Sequence, residues 1–231
     1  MTDSEHRRVA RIYERYGASA GKQRSWSAGN HGNVAIRAEL VDAVSSLAGD
    51  ALASAAAVLD IGCGSGWWLE RLATDAGVSA SLYGLELLES RAAAARHRVP
   101  AAQITIGDAR ALPVADGSFD VSTLFTVLSS LATRADAERA VREARRVLRP
   151  RGALLIWEPR LTNPLNRNTI SVAHGSLRGI LAGTEIEART TTVFPPLARR
   201  LGTRTEQLYP VLARVATLHT HRLMCAREPR S

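Results

Sequence analysis

Val58-Leu59-Asp60-Ile61-Gly62-Cys63-Gly64-Ser65-Gly66 is the stretch whose reading decides the fold. An apolar run ends on a carboxylate. Three glycines then alternate with small residues, and a helix is expected from Trp67. Glycine is needed where backbone turns sharply and must lie against a ligand with no Cβ in the way. Open N–H groups at the start of the following helix favour an anion. Alone, the three glycines read equally well as a structural turn.

The sequence around this turn adds to the signal. Short apolar runs, AAVLDI, ASLYGLE, AQITIG, FDVSTLF and GALLIWE, alternate with helical segments near 66–76, 89–98 and 135–148. Strands alternating with helices imply βαβ units and a parallel sheet. Pro150-Arg151-Gly152 breaks the chain before the fifth strand. Towards the N-terminus, residues 5–20 and 34–48 read as amphipathic helices flanking a polar, glycine-rich stretch. Beyond Glu158 a loop is expected, then a helix near 165–182, a strand near 186–193, a short helix near 196–201 and a last strand over ATLHTHRLMCA. The expected architecture is α/β, a Rossmann-like doubly wound and mostly parallel sheet of about seven strands. Residues 1–50 form an N-terminal helical cap or lid, and residues 51–231 the main domain.

The second strand ends at Glu86, placed to accept hydrogen bonds from both hydroxyls of a ribose. Gly107-Asp108-Ala109 follows the third strand, where a carboxylate reaches an adenine amino group. Phe119-Asp120-Val121-Ser122 opens the fourth, and Leu148-Arg149-Pro150-Arg151-Gly152 precedes the fifth. A dinucleotide fingerprint would need Gly or Ala three residues beyond Gly64, and that position is Trp67.

Five motifs in this order, over roughly residues 55–158, resemble the class I S-adenosylmethionine-dependent methyltransferases, especially their small-molecule branch (methyltransferase domain 11). The resemblance implies an enzyme with S-adenosylmethionine as cofactor. It implies that Asp60, Gly62, Cys63, Gly64 and Gly66 hold the aminoacyl part, and that Glu86 with Leu87 binds the ribose. Asp108 and Ala109 would frame adenine, and Phe125 would lie near the sulfonium. Tyr16 and Trp26, ahead of the main domain, are lid candidates over the cofactor.

The acceptor pocket of such a sheet lies beyond the carboxyl ends of its strands. Glu158, Arg160 and Asn163 stand in the loop after the fifth strand. Glu158 is a candidate catalytic carboxylate, and Arg160 and Asn163 are candidate acceptor contacts. Methyl transfer to a hydroxyl or ammonium also needs a general base. His31, in the lid loop, and His219, in the last strand, are the leading candidates. No Asn-Pro-Pro-Tyr-like tetrapeptide follows strand four, where Phe125-Thr126-Val127-Leu128 stands, and this argues against amino-methylation of nucleic acid. No carboxylate cluster there suggests a metal.

The 231 residues suit one decorated domain. The net charge of +8 comes almost wholly from dispersed arginine, with Lys22 the sole lysine, and reads as composition bias more than as a polyanion site. No apolar run approaches the roughly 20 residues of a membrane helix, and MTDSEHRRVARIYERYG has no apolar signal core. Cys63 and Cys225 form no framework, so a reducing cytoplasm is expected. The expected function is methyl transfer to an oxygen or nitrogen of a small organic acceptor such as a specialised metabolite, a sugar or a quinone-like ring, by a monomer or homodimer. The alternatives are an RNA methyltransferase and a non-catalytic cofactor-binding protein on the same fold.

Overall fold

The computed structural model describes residues 2–160, 177 and 179–229. The expected helix near 165–182 therefore lies largely outside the described residues, as does Asn163.

Seven strands form one sheet in the order β3-β2-β1-β4-β5-β7-β6. The chain runs β1 (Ala57–Ile61), β2 (Ser81–Glu86), β3 (Gln103–Ile106), β4 (Phe119–Phe125), β5 (Leu148–Pro159), β6 (Glu185–Val193) and β7 (His219–Arg227). The first five pair in parallel, and β7 lies antiparallel between β5 and β6. β1 and β4 sit centrally, with apolar clusters covering both faces of the sheet. The order reverses between β1 and β4, the switch point at which open α/β sheets place ligands.

Helices α1 (Thr2–Gly17), α2 (Ala20–Trp26) and α3 (His31–Ser54) precede the sheet. The polar stretch between the two expected helices thus holds a helix of its own. Asn30 caps α3, its side chain accepting from Gly32 N at 3.0 Å and Asn33 N at 3.3 Å. The boundary expected at residue 50 falls inside α3. Leu40, Val44, Ala48 and Leu52 of that helix share one apolar cluster with Val58, Leu69 and Val121, so α3 is a layer of the main domain. Helix α4 (Trp67–Ala73) follows β1 and α5 (Glu89–Arg98) follows β2. Helix α6 (Arg134–Arg146) covers the opposite face with Ala137, Ala140, Val141 and Ala144.

Pro150-Arg151-Gly152 does not break the chain ahead of the fifth strand as expected. β5 begins at Leu148 and absorbs the three residues as an irregularity in its pairing with β4, with Arg151 at φ 68°. Beyond β6, α7 (Pro195–Ala198) and α8 (Thr205–Leu212) fold over the carboxyl end of the sheet, and α8 was not foreseen. The start of α3 docks there so closely that a Cβ on Gly32 would collide with the Ala198 backbone. The last strand begins at His219, later than expected, because Ala216–Leu218 form a 3₁₀ turn.

Candidate active site

β1 ends at Ile61, and Gly62, Gly64 and Gly66 follow at φ 72°, 58° and 80°. All three lie in the left-handed region that only glycine enters without strain. The turn is pinned to the end of β2, because Gly62 N and Cys63 N both donate to Leu85 O at 2.7 and 3.0 Å. A Cβ on Gly62 would stand 2.5 Å from Val127 Cγ2, and one on Gly64 would meet the Arg91 guanidinium. The Val127 and Arg91 side chains therefore lie directly against the bare backbone of the turn.

Glu86 is buried at the end of β2. Its Oε2 accepts from Gly64 N at 2.9 Å and its Oε1 from Leu88 N at 3.0 Å. A carboxylate has about four lone-pair sites, so these two amides fix its orientation and leave acceptor capacity for two hydroxyls. Arg91 Nε stands 3.6 Å from Oε2. The Asp60 carboxylate is buried, and Thr123 Oγ1 donates to it at 2.6 Å. Burial pushes its pKa up to about 7, the Thr123 hydrogen bond opposes this, and Glu86 adds to it. Beside a cationic ligand group the charged form of Asp60 would be favoured. Burial, with Asp60 and Glu86 nearby, likewise raises the Cys63 thiol, which is unsuited to nucleophilic work.

Asp108 departs from the expectation. Arg110 grips its carboxylate through N, Nε and Nη2, the last at 2.6 Å, and also reaches Asp136 at 3.1 Å. Arg110 opposes the burial of Asp108 strongly enough to hold that carboxyl below its usual range. An adenine amino group would have to compete with this bidentate pair. Ala109 is buried beside it, and Leu87 is half-buried after Glu86.

Phe125, half-buried at the end of β4, lies edge-on to Trp157 at 6.3 Å and tilted on Trp68 at 5.2 Å. Trp157 stacks on His221 at 4.7 Å. Burial lowers the His221 pKa to about 3, helped by the charge of Arg199, so its ring is neutral. Sequence reading missed His221 and singled out His219. The His219 ring is engaged with Ala213 O at 2.9 Å and Thr190 Oγ1 at 3.3 Å, inside the α3–α8 cap. His31 is exposed at the first position of α3. Glu158 is buried, and both its oxygens accept backbone N–H groups, from Leu128 at 2.6 Å and Ser129 at 3.1 Å. It is turned toward the protein's own loop, away from the arrangement a solvent-side base would need. Arg160 is exposed, and its backbone N donates to Thr220 O at 2.9 Å. Tyr16 and Trp26 fall on α1 and α2, and their side chains lie outside the described residues. Arg8 of α1 donates to Ser130 O, which brings the N-terminal helix onto the loop after β4. Neither Arg8 nor Arg110 was foreseen, because their partners are remote in sequence or internal to a motif.

Among the described residues no group of three metal-ligating side chains converges, and no helix is long and apolar enough to cross a membrane.

Residues 59–156 match the family model "Methyltransferase domain". A Mycolicibacterium smegmatis protein named "Probable S-adenosylmethionine-dependent methyltransferase" is 36% identical over 113 residues, covering 48% of this chain and 42% of the relative. A demethylmenaquinone methyltransferase of Shouchella clausii is 33% identical over 105 residues, 43% of each chain. The chain spans less than half the length of these relatives. Among solved structures, a Thermotoga maritima S-adenosylmethionine-dependent methyltransferase, described as a possible histamine N-methyltransferase, superposes with TM-score 0.63 at 20% identity. That match covers 97% of this chain and 99% of the other. The [4+2]-cyclase SpnF superposes with TM-score 0.59 at 21% identity, covering 82% of each. At such identities the structures speak for the fold alone.

The sheet order and the glycine turn at its switch point thus define a Rossmann-like α/β domain. Residues 59–156 match the methyltransferase-domain family, and that match, with the relatives named for S-adenosylmethionine, implies S-adenosylmethionine as the cofactor. The residues present fit that group. A glycine cradle without room for Cβ atoms, an oriented carboxylate at the last residue of β2 and a buried carboxylate within β1 are the features such a ligand would use.

Proposed function

We propose that this protein transfers the methyl group of S-adenosylmethionine to an oxygen or nitrogen of a small organic acceptor. The observation that carries the reading is the pairing of the left-handed glycine turn with the Glu86 carboxylate, which receives Gly64 N at 2.9 Å. The cofactor, when bound, supplies an activated methyl carbon on a good leaving group. The protein's task is then to align the acceptor and exclude water, a proximity effect worth several kcal/mol. In this reading Glu86 and the glycine turn hold the cofactor, and Phe125 and Val127 border the methyl group. Arg160 and Asn163 contact the acceptor, and His31, whose ring is exposed, is the candidate base.

Dispersed arginines, several of them in ion pairs with nearby carboxylates, support a small acceptor over RNA. The test is a screen with labelled methyl donor over phenols, amines, sugars and quinone-like rings, with RNA alongside. The quinone-like ring is included because one relative is named for demethylmenaquinone. Methyl incorporation into a small molecule supports the reading. Incorporation into RNA alone, or none from a protein that binds the cofactor, overturns it.

A further inference from the structure

We propose that Glu158 is a positioning residue for the methyl-transfer site: it caps the turn at Leu128–Ser130 and thereby holds Val127 against Gly62. The proposal rests on the reading of the cleft as a cofactor site and adds a residue that acts on it through another.

β4 leaves the sheet through Thr126, a non-glycine residue at φ 57° whose N donates to Trp157 O at 2.8 Å. A left-handed threonine is strained and persists only when its surroundings over-determine it. The chain then enters a 3₁₀ turn of three residues, Leu128–Ser130. The first amides of such a turn have no partner within it. Glu158 of the neighbouring strand supplies one, with Oε1 on Leu128 N at 2.6 Å and Oε2 on Ser129 N at 3.1 Å. The carboxylate does for this turn what a capping side chain does for a helix, from 30 residues away. At the far end, the Ser130 carbonyl accepts from Arg8 of α1, and Ser130 Oγ donates to Thr126 O at 3.0 Å.

Val127 lies between the strained residue and the capped pair. Its Cγ2 occupies the space that a Cβ on Gly62 would need. The turn after β4 and the glycine turn after β1 therefore touch through one side chain, whose position is set by the Glu158 cap. Glu158 is only 4% exposed, and burying a carboxylate is costly unless its acceptors are filled. Burial pushes its pKa up to about 7 against the opposing hydrogen bonds from the turn. Leu or Met at this place would avoid that cost but could not orient two amides.

The test uses the full chain and four variants. Glu158→Gln keeps one acceptor but turns an NH₂ group toward the second amide. Val127→Ala removes the transmitting side chain. The double variant combines them. Glu143→Gln is the control, because Glu143 Oε2 accepts Leu112 N at 2.8 Å in a comparable way but far from the glycine turn in sequence. Amide hydrogen exchange at Leu128 and Ser129 should quicken at least tenfold in Glu158→Gln while Leu155 in the sheet is unchanged. Titration with S-adenosylhomocysteine should show about tenfold weaker binding in Glu158→Gln and in Val127→Ala, unchanged binding in Glu143→Gln, and no further loss in the double variant. Residues that act as one unit are non-additive in this way. Additive losses, or unaltered exchange at Leu128 and Ser129, would overturn the proposal. If the wild type binds no S-adenosylhomocysteine, the cofactor reading fails, and the exchange measurement alone decides whether Glu158 holds the turn.

Discussion

One 2.9 Å hydrogen bond joins Gly64 N to Glu86 Oε2 and ties the turn after β1 to the end of β2. The amide is available because Gly64 is left-handed, and the carboxylate is aimed because Leu88 N holds its other oxygen at 3.0 Å. The candidate cofactor site is thus preorganised by contacts between the residues that would bind the ligand.

Glu86→Ala is expected to weaken S-adenosylmethionine binding by about 30- to 1,000-fold. This corresponds to about 2–4 kcal/mol for two hydrogen bonds to a charged acceptor. Glu89, exposed and paired with Arg96 at 3.0 Å, is the internal control. Glu89→Ala should leave affinity within about twofold, as surface pairs contribute little. Calorimetric titration of both variants checks this, and equal losses would mean that Glu86 is not the ribose acceptor.

Gly62→Ala and Gly117→Ala both place a Cβ at positive φ, 72° and 62°. Each should lower the unfolding free energy by about 1 kcal/mol or more through backbone strain. Only at Gly62 does the added atom meet a neighbour, Val127, whereas Gly117 faces open space within 4 Å. Urea denaturation should therefore show both variants destabilised, with Gly62→Ala the worse, and only Gly62→Ala should lose cofactor affinity. A Gly62→Ala protein that binds normally would contradict the close contact.

Asp60 gives a pH signature. Its pKa near 7 falls when a cationic group binds beside it, so binding at neutral pH releases a proton. Affinity should rise between pH 6 and about 7.5, by at most tenfold per unit, and this slope should vanish in Asp60→Asn. Glu86 nearby opposes ionisation of Asp60, and Thr123 supports it. The raised pKa also makes a separate prediction for the free protein. The stability contributed by Asp60 is fully present below its unfolded pKa near 4 and is lost as pH rises through 7. Calorimetry in buffers of different ionisation heat measures the proton directly, and no released proton would remove Asp60 from the site.

Arg110→Ala breaks a buried network with Asp108 and Asp136. Leaving those carboxylates uncompensated should cost about 3–5 kcal/mol. Both carboxyls lie below their usual range in the wild type, so the stability they contribute is present above about pH 4 and is lost in acid as they protonate. The gap between variant and wild type should accordingly narrow below pH 4. Denaturation curves at pH 7 and pH 3 test this, and a gap that widened in acid would reverse the assignment.

What could be read in advance followed from local pattern. Asp60, the three glycines and Glu86 were legible because a strand, a tight turn and a strand end each leave a short-range signature, and their spacing places them at one edge of a parallel sheet. The left-handed Thr126 was not legible, since nothing in Phe125-Thr126-Val127 announces positive φ. The tasks of Glu158 and Arg110 were also hidden. One depends on amides 30 residues away, and the other on a carboxylate across the chain at Asp136. His219 looked free on a strand, but its ring is taken by the Ala213 carbonyl, which only the fold of the α8 segment brings near. Pro150-Arg151-Gly152 read as a break, yet tertiary pairing with β4 overrode the local preference and bulged the strand instead.

The central claim is that the cleft beside Gly62, Gly64 and Glu86 holds S-adenosylmethionine. Isothermal titration of the full chain with S-adenosylmethionine and S-adenosylhomocysteine tests it most directly. One saturable site per chain for each ligand, lost or greatly weakened in Glu86→Ala while that variant remains folded, is the predicted result. A well-folded wild type that binds neither ligand, or binding that survives Glu86→Ala unchanged, would contradict the account.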